Sequence, residues 1–319
     1  MPGVIFALIT VVVALAIAML LYPLLIRLLR RWRVGQAIQE TMSQEHQRKA
    51  GTPTGGGLLF VLLGIIGGLL SLHMHGGALP AVVGLFLFSL LGLADDLTKV
   101  RFRARGIGSR GIRARLKFPL QILCAIPVAY LAHTQQHFLP DTAAWGWVYW
   151  PLAVVVIAGA ANGVNFNDGI DGLAGGTGVI ALLGAAILLP GEPAGAQAVA
   201  FTLVGALLAF TWYNRYPARI FMGDTGSLGL GAALAAICLQ AGWGILLLLL
   251  GIVYVVEVAS VMIQVTFFKV TGGRRVFKDT PLHLTFQKEG WSENRIALTS
   301  WGVAIVAALA SGWIAHLVS

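Results

Sequence analysis

Three clusters of acids and amides interrupt a largely apolar sequence. The first, Gly92-Leu-Ala-Asp95-Asp96-Leu-Thr-Lys99, sets two adjacent carboxylates one turn before an amine. Neighbouring side chains on a helix diverge by about 100 degrees, so Asp95 and Asp96 are not expected to aim at one atom. One can face substrate while the other holds a cation, and the same spacing also fits a helix end paired with Lys99. The second cluster, Asn162-Gly-Val-Asn165-Phe-Asn167-Asp168-Gly-Ile-Asp171-Gly, offers three amides whose donors suit phosphate, ribose or a base edge. Asp168 and Asp171 share a face if this stretch is helical. The third runs from Asn214 to Pro217 and on through Phe221-Met-Gly223-Asp224-Thr-Gly-Ser227. Asp224 suits an N-cap, and a carboxylate at a helix start beside glycines also suits a magnesium-bound diphosphate.

Two further segments carry ionisable groups. His46-Gln-Arg-Lys49-Ala-Gly-Thr-Pro-Thr54-Gly55-Gly56-Gly57 leads through glycines whose backbone amides could meet an anion. Pro281-Leu-His283-Leu284-Thr285-Phe-Gln287-Lys-Glu-Gly290-Trp291-Ser-Glu293 lies in a long polar connection.

The elements that must position these residues follow from composition. Of 319 residues 57% are hydrophobic and 11% charged, with a mean hydropathy of +0.82; average domains carry about 25% charge. A soluble globular fold is excluded. Apolar runs at roughly 3–26, 56–72, 79–94, 118–133, 150–166, 173–190, 196–213, 225–241, 243–268 and 296–317 predict ten membrane helices in a single polytopic transmembrane domain over 1–319. The first residues lack a basic n-region, so the first run reads as a retained helix rather than a cleaved signal.

All 22 Lys and Arg residues fall in four segments, 27–49, 99–117, 215–219 and 269–295. By the positive-inside rule these face the cytoplasm, which puts both termini outside and the acid-bearing connections on the cytoplasmic face. The net charge of +9 is therefore topological. No basic stretch is interleaved with stacking aromatics, so no nucleic-acid partner is expected. Trp145, Trp147, Tyr149 and Trp150 read as an outer interfacial anchor. Cys124 and Cys238 lie in apolar runs and form neither a disulfide framework nor a CxxC site. Glu257 stands inside the ninth run, where an ionised group costs about 2.5–3.5 kcal/mol at mid-bilayer. A transporter would gather its polar groups near the midplane, and an aromatic prenyltransferase would space its acids more widely; neither pattern fits.

Taken in order, the five segments resemble the polyprenyl-phosphate hexose-1-phosphate transferase superfamily, and within it the phospho-N-acetylmuramoyl-pentapeptide transferase family. The resemblance covers the whole chain. It implies an all-α membrane fold of ten helices in a bacterial inner membrane, with the active site at the cytoplasmic face. It also implies transfer of phospho-N-acetylmuramoyl-pentapeptide from UDP-N-acetylmuramoyl-pentapeptide to undecaprenyl phosphate, giving lipid I and UMP with magnesium (Mg2+). The implied partners are these two substrates and membrane lipid, with a homodimer as the candidate assembly.

Carried over residue by residue, Asp224 is the implied magnesium ligand, and Asp95 or Asp96 orients or deprotonates the attacking lipid phosphate. Lys49, Lys99 and Lys117 neutralise phosphate charge, while Thr54, Asn162, Asn165, Asp168, Asp171, Asn214, Phe221 and Gly223 hold the diphosphate and uridine. The family's Thr-Pro-Thr-Met-Gly-Gly has Gly55 at its methionine, and of its Pro-Leu-His-His-His-Phe-Glu only His283 remains, with Leu284, Thr285 and Gln287 in the other places. Gly290-Trp291 and Glu293 favour the pentapeptide branch over a transferase of the same superfamily that uses UDP-N-acetylglucosamine or another UDP-sugar.

Overall fold

The computed structural model describes residues 2–32, 51–75, 77–104, 111–133, 146–191 and 193–318. Among the described residues the only pairing of strand type is an isolated bridge between Thr54 and Phe221. The helices are α1 (Pro2–Arg31), α2 (Gly57–His75), α3 (Leu79–Ala104), α4 (Ala114–His133), α5 (Tyr149–Asn167), α6 (Leu173–Leu183), α7 (Ala194–Asn214), α8 (Gly223–Gln240), α9 (Ile252–Val270), α10 (Leu282–Lys288) and α11 (Glu293–Val318).

Seven of them, α1, α3, α4, α5, α7, α9 and α11, are by length and composition able to cross a bilayer, which makes the chain a helical membrane protein. The other three expected spans are helical but fall below that measure. Apolar Gly57–Leu72 and Leu173–Leu188 are shorter, and α8 opens on the polar sequence Gly223-Asp-Thr-Gly-Ser.

Two expected spans are interrupted. The run at 243–268 is not one helix: Gly244–Leu246 forms a 3-10 turn, Leu247–Leu250 a single α-turn, and the chain bends at Gly251 (φ −96°, ψ 23°) before α9 begins. Glycine is a weak helix former, and two of them bracket this lead-in. The sixth run passes from α6 into a π-turn, Gly184–Leu188, and stops at Leu189 in an extended conformation. Pro190 disfavours helical backbone at the residue before it.

The core is organised around α8, in which every residue from Asp224 to Gln240 is buried. α3 and α5 make its broadest contacts. Small residues permit the approach: Gly92 of α3 lies against the Asp224 carbonyl, Gly84 against the backbone of Ala232, and Gly231 against the carbonyl of Ala160. Without hydrophobic driving force between helices in lipid, such close backbone packing is a main source of association. By contrast only 11% of the apolar window of α1 is buried, as suits a helix facing acyl chains. The N-terminal end of the fully enclosed helix is thus where charged residues must find protein partners.

Candidate active site

The first turn of any helix leaves backbone N–H groups without intrahelical partners. At α8 the residue before the helix, Met222, supplies no capping side chain, and two acids from other elements do so instead. Asp96 of α3 accepts from Asp224 N–H through Oδ1 (3.2 Å), and from Thr225 N–H (2.9 Å) and its hydroxyl (2.8 Å) through Oδ2. Asp168, just past α5, accepts from Gly223 N–H through Oδ2 (3.2 Å). Gly223 itself has a φ of +76°, and a Cβ there would lie 2.9 Å from Asp96 Oδ2 and 3.0 Å from Thr54 Oγ1. A glycine is required on both counts. Asp224 is therefore not the N-cap. Its carboxyl is released to face the charged side chains of α3 and α4.

Those side chains form one cluster. Lys99 Nζ lies 2.7 Å from Asp95 Oδ2, 2.7 Å from Asp224 Oδ1 and 3.7 Å from Asp96 Oδ1. Lys117 Nζ bonds Asp224 Oδ2 and lies 3.5 Å from Asp95 Oδ2. Ile112 N–H closes the far side of Asp95 at 2.6 Å from Oδ1. The expectation that Asp95 and Asp96 could not share a target is corrected: both reach Lys99. Adjacent Cβ directions diverge, but a long amine three and four residues on spans the gap.

Asp95, Asp96 and Asp224 each offer an oxygen within 4.8 Å of the others. Three carboxylates against two ammoniums leave one net negative charge. Hard oxygen donors at such separations suit a small divalent cation, so the residues present fit magnesium.

The connection from α5 to α6 is a turn and not a helix, so Asp168 and Asp171 do not share a helical face. Asp171 Oδ2 accepts Ala218 N–H (2.9 Å), while its own N–H donates to Glu293 Oε2 (3.0 Å). Asn214 clamps the same turn, accepting Gly172 N–H at 2.9 Å and donating to Ile220 C=O at 2.9 Å. Asn162 exchanges hydrogen bonds with Gln121 of α4 at 2.8 and 3.2 Å. Asn165 donates to the Ser227 hydroxyl at 2.8 Å. Burial, reinforced by the charges of Asp224 and Asp96, pushes the Asp168 carboxyl well above the ordinary carboxylate range, against the opposing Gly223 N–H and Lys99.

The glycine-rich approach to α2 commits the amides of Gly56 and Gly57 to backbone rather than to an anion. Gly56 N–H donates to Phe221 C=O (2.8 Å) and Gly57 N–H to Met222 C=O (2.9 Å), while Phe221 N–H returns to Pro53 C=O (2.8 Å). Backbone groups in a water-poor interior must pair, and the Phe221–Met222 strand is the partner at hand. Thr54, Phe221 and Gly223 are thus brought beside the cluster, whereas Lys49 and His46 lie outside the described residues.

His283 sits on α10 and is 2% exposed, its ring packed against Gly169, the residue after Asp168. Its N–H donates to Glu257 Oε2 (3.3 Å), and its Nδ1 lies 3.3 Å from Glu257 Oε1. Sequence reading noted Glu257 without a role and gave none to Gln121 or Thr225. The legible signal was the acid inside an apolar run; the amide and hydroxyl carried none.

Residues 78–242 match glycosyl transferase family 4. The chain is 40% identical over 306 residues to the phospho-N-acetylmuramoyl-pentapeptide-transferase of Heliobacterium modesticaldum, covering 93% of this chain and 94% of that one. It is 40% identical over 321 residues to the protein of the same name from Oceanobacillus iheyensis, with 96% and 97% covered. The Listeria monocytogenes protein of that name is 37% identical over 315 residues, with 95% and 96% covered.

Proposed function

We infer, for a chain that belongs to glycosyl transferase family 4, that it transfers phospho-N-acetylmuramoyl-pentapeptide from its UDP-linked donor to undecaprenyl phosphate, releasing UMP and forming lipid I. The near-full-length identity to proteins named for that transfer supports the pentapeptide donor over UDP-N-acetylglucosamine. The observation that carries the chemistry is the convergence of Asp95, Asp96, Asp224, Lys99 and Lys117 at the start of α8. Phosphoryl transfer asks the protein mainly for positioning and charge neutralisation.

Asp224 and Asp95, with Asp96 behind them, would hold Mg2+, which supplies charge neutralisation for the diphosphate. Lys99 and Lys117 then turn from the carboxylates to phosphate oxygens; Lys99 retains 35% side-chain exposure for this. Asp95 is the better candidate to orient the attacking phosphate, because its Oδ2 contacts only the two lysines, which phosphates can draw away, whereas both oxygens of Asp96 are engaged by the first turn of α8. Asp171 and Asn214 act by shaping the turn that faces the donor, since their polar atoms bind backbone. Asn165, Asp168, Thr54, Phe221 and Gly223 would line the donor's side of the cluster, with Asn162 held against Gln121, and Lys49 would add charge for the phosphates.

The four cation-bearing segments support a cytoplasmic site in a ten-helix topology with both termini outside, in the bacterial inner membrane. A cysteine replacing exposed Lys278 should label only from the cytoplasmic side. The deciding assay is UMP release from the two UDP-sugars in parallel, with undecaprenyl phosphate, before and after chelation. Release from the pentapeptide donor that chelation stops and Mg2+ restores is expected. A wild-type protein that releases no UMP from either donor overturns the reading.

A further inference from the structure

We propose that Glu257 is a positioning residue for the transfer reaction, acting through His283. An acid buried in α9, whose neighbours Tyr-Val-Val and Val-Ala-Ser are apolar or small, needs a partner to remain there. Among the described residues its ion-pair partner is the imidazole of His283. The two carboxyl oxygens divide the task. Oε2 accepts the His283 backbone N–H and so fixes the first turn of α10. Oε1 faces Nδ1 at 3.3 Å, a charge contact short of hydrogen-bond geometry that restricts the ring. A tie between the two helices would need only the first contact.

A carboxylate beside Nδ1 favours a hydrogen on that nitrogen and stabilises the imidazolium, whose Nε2–H is then the donor that can meet an anion. Here Nε2 faces the turn after α5, where a Cβ at Gly169 would lie 2.5 Å from it. Gly169 follows Asp168, whose carboxylate caps the first residue of α8. The imidazole is thereby placed beside the turn that carries Asp168, next to the first residue of α8 and its acidic cluster. From there its Nε2–H would meet an anionic donor held by the two lysines. With the family's second and third histidines replaced by Leu284 and Thr285, one ring carries this contact, and its orientation matters the more.

The inference rests on the transferase reading, and the test separates the two. Donor KM and kcat are measured for wild type, Glu257→Ala, Glu257→Gln, His283→Ala and the Glu257→Ala/His283→Ala double variant. UMP affinity of the solubilised proteins is measured by equilibrium dialysis. Glu257→Ala should lose about 10- to 100-fold in kcat/KM, chiefly through donor KM. Glu257→Gln, which keeps an oxygen for Nδ1–H, should recover much of that loss. The double variant should be no worse than His283→Ala. Equal losses from Glu257→Ala in the presence and absence of His283, or an unchanged Glu257→Ala enzyme, overturn the proposal. If Glu257→Ala lowers thermal stability, Glu257→Gln replaces it in the cycle, and its smaller loss must likewise vanish beside His283→Ala. A wild type that binds UMP but turns over neither donor overturns the transferase reading alone, and the cycle is then read from UMP affinity.

Discussion

The two faces that flank Asp168 solve the same electrostatic problem in opposite ways. On the α3–α4 side, three carboxylates and two lysines offset one another to one net negative charge, each acid touching at least two donors. On the α9–α10 side one acid meets one imidazole and one backbone N–H. The first arrangement is exchangeable, because an arriving cation and an anionic substrate can take over the partners that the side chains now provide to each other. The second is directional, because a single carboxylate sets the plane of a single ring. Neutralisation needs many charges of loose geometry, while delivery of one nitrogen needs a rigid support.

The largest test of that contrast removes a charge from the exchangeable side. Asp224→Asn removes the charge that Lys99 meets at Oδ1 and Lys117 at Oδ2, and it should lower kcat/KM by more than the roughly 10- to 100-fold loss caused by removing a group behind a metal ligand. Helical content should be unchanged, since Asp96 and Asp168 still cap α8. Near-normal UMP release at ordinary Mg2+ would reduce Asp224 to an ion-pair member.

A purely geometric change comes next. Gly92→Ala would put a methyl group onto the Asp224 carbonyl and 2.6 Å from Thr225 N, forcing α3 and the first turn of α8 apart. A displacement near 1 Å at a reacting centre costs on the order of 10²-fold in rate, with a stability loss of about 1–3 kcal/mol from overpacking. Wild-type kinetics in this variant would show that the cluster tolerates loose helix packing.

Asp168→Asn should separate stability from activity. The folded protein holds this carboxyl above its ordinary value, so ionising it opposes folding. Wild-type thermal stability in metal-free detergent should fall as pH rises from the ordinary carboxylate range toward the raised value. Asp168→Asn should flatten that slope and gain on the order of 1 kcal/mol at neutral pH, while UMP release drops. An identical pH profile in both proteins would mean that the acid is solvated.

The smallest effect lies on the outer surface of the connection after α9. Lys288 Nζ is 2.8 Å from Asp279 Oδ2, with both side chains well exposed. Burial raises the Asp279 carboxyl, but Lys288 and the Thr280 N–H outweigh it and hold it below the ordinary value. The pair's contribution is present above the ordinary carboxylate range and lost as pH falls through the depressed value. Lys288→Ala should cost no more than about 0.2–1 kcal/mol and less in high salt, with unchanged kinetics.

Much of the site was visible in one dimension. Acids at the ends of apolar runs are conspicuous, and Asp95, Asp96, Asp168, Asp224 and Lys99 do gather around one helix start. Glu257 was conspicuous for the same reason, but an acid in a span does not reveal which distant residue answers it. The glycines at 55–57 read as an anion cradle because a sequence does not show that the Phe221 and Met222 carbonyls will take the amides of Gly56 and Gly57. Asp171 and Asn214 read as ligand groups because a sequence does not show that Asp171 Oδ2 and the Asn214 amide will bind backbone.

Apolar length determined that this is a helical membrane protein, and the order of the polar segments determined its family. The first property is a sum over local sequence against a solvent of known thickness. The division of labour between adjacent Asp95 and Asp96, the release of Asp224 from capping and the pairing of Glu257 with His283 were decided only by tertiary structure. Each depends on which helix end arrives within about 3 Å of which side chain. That proximity is set by the packing of α8 against α3 and α5, between residues more than a hundred positions apart.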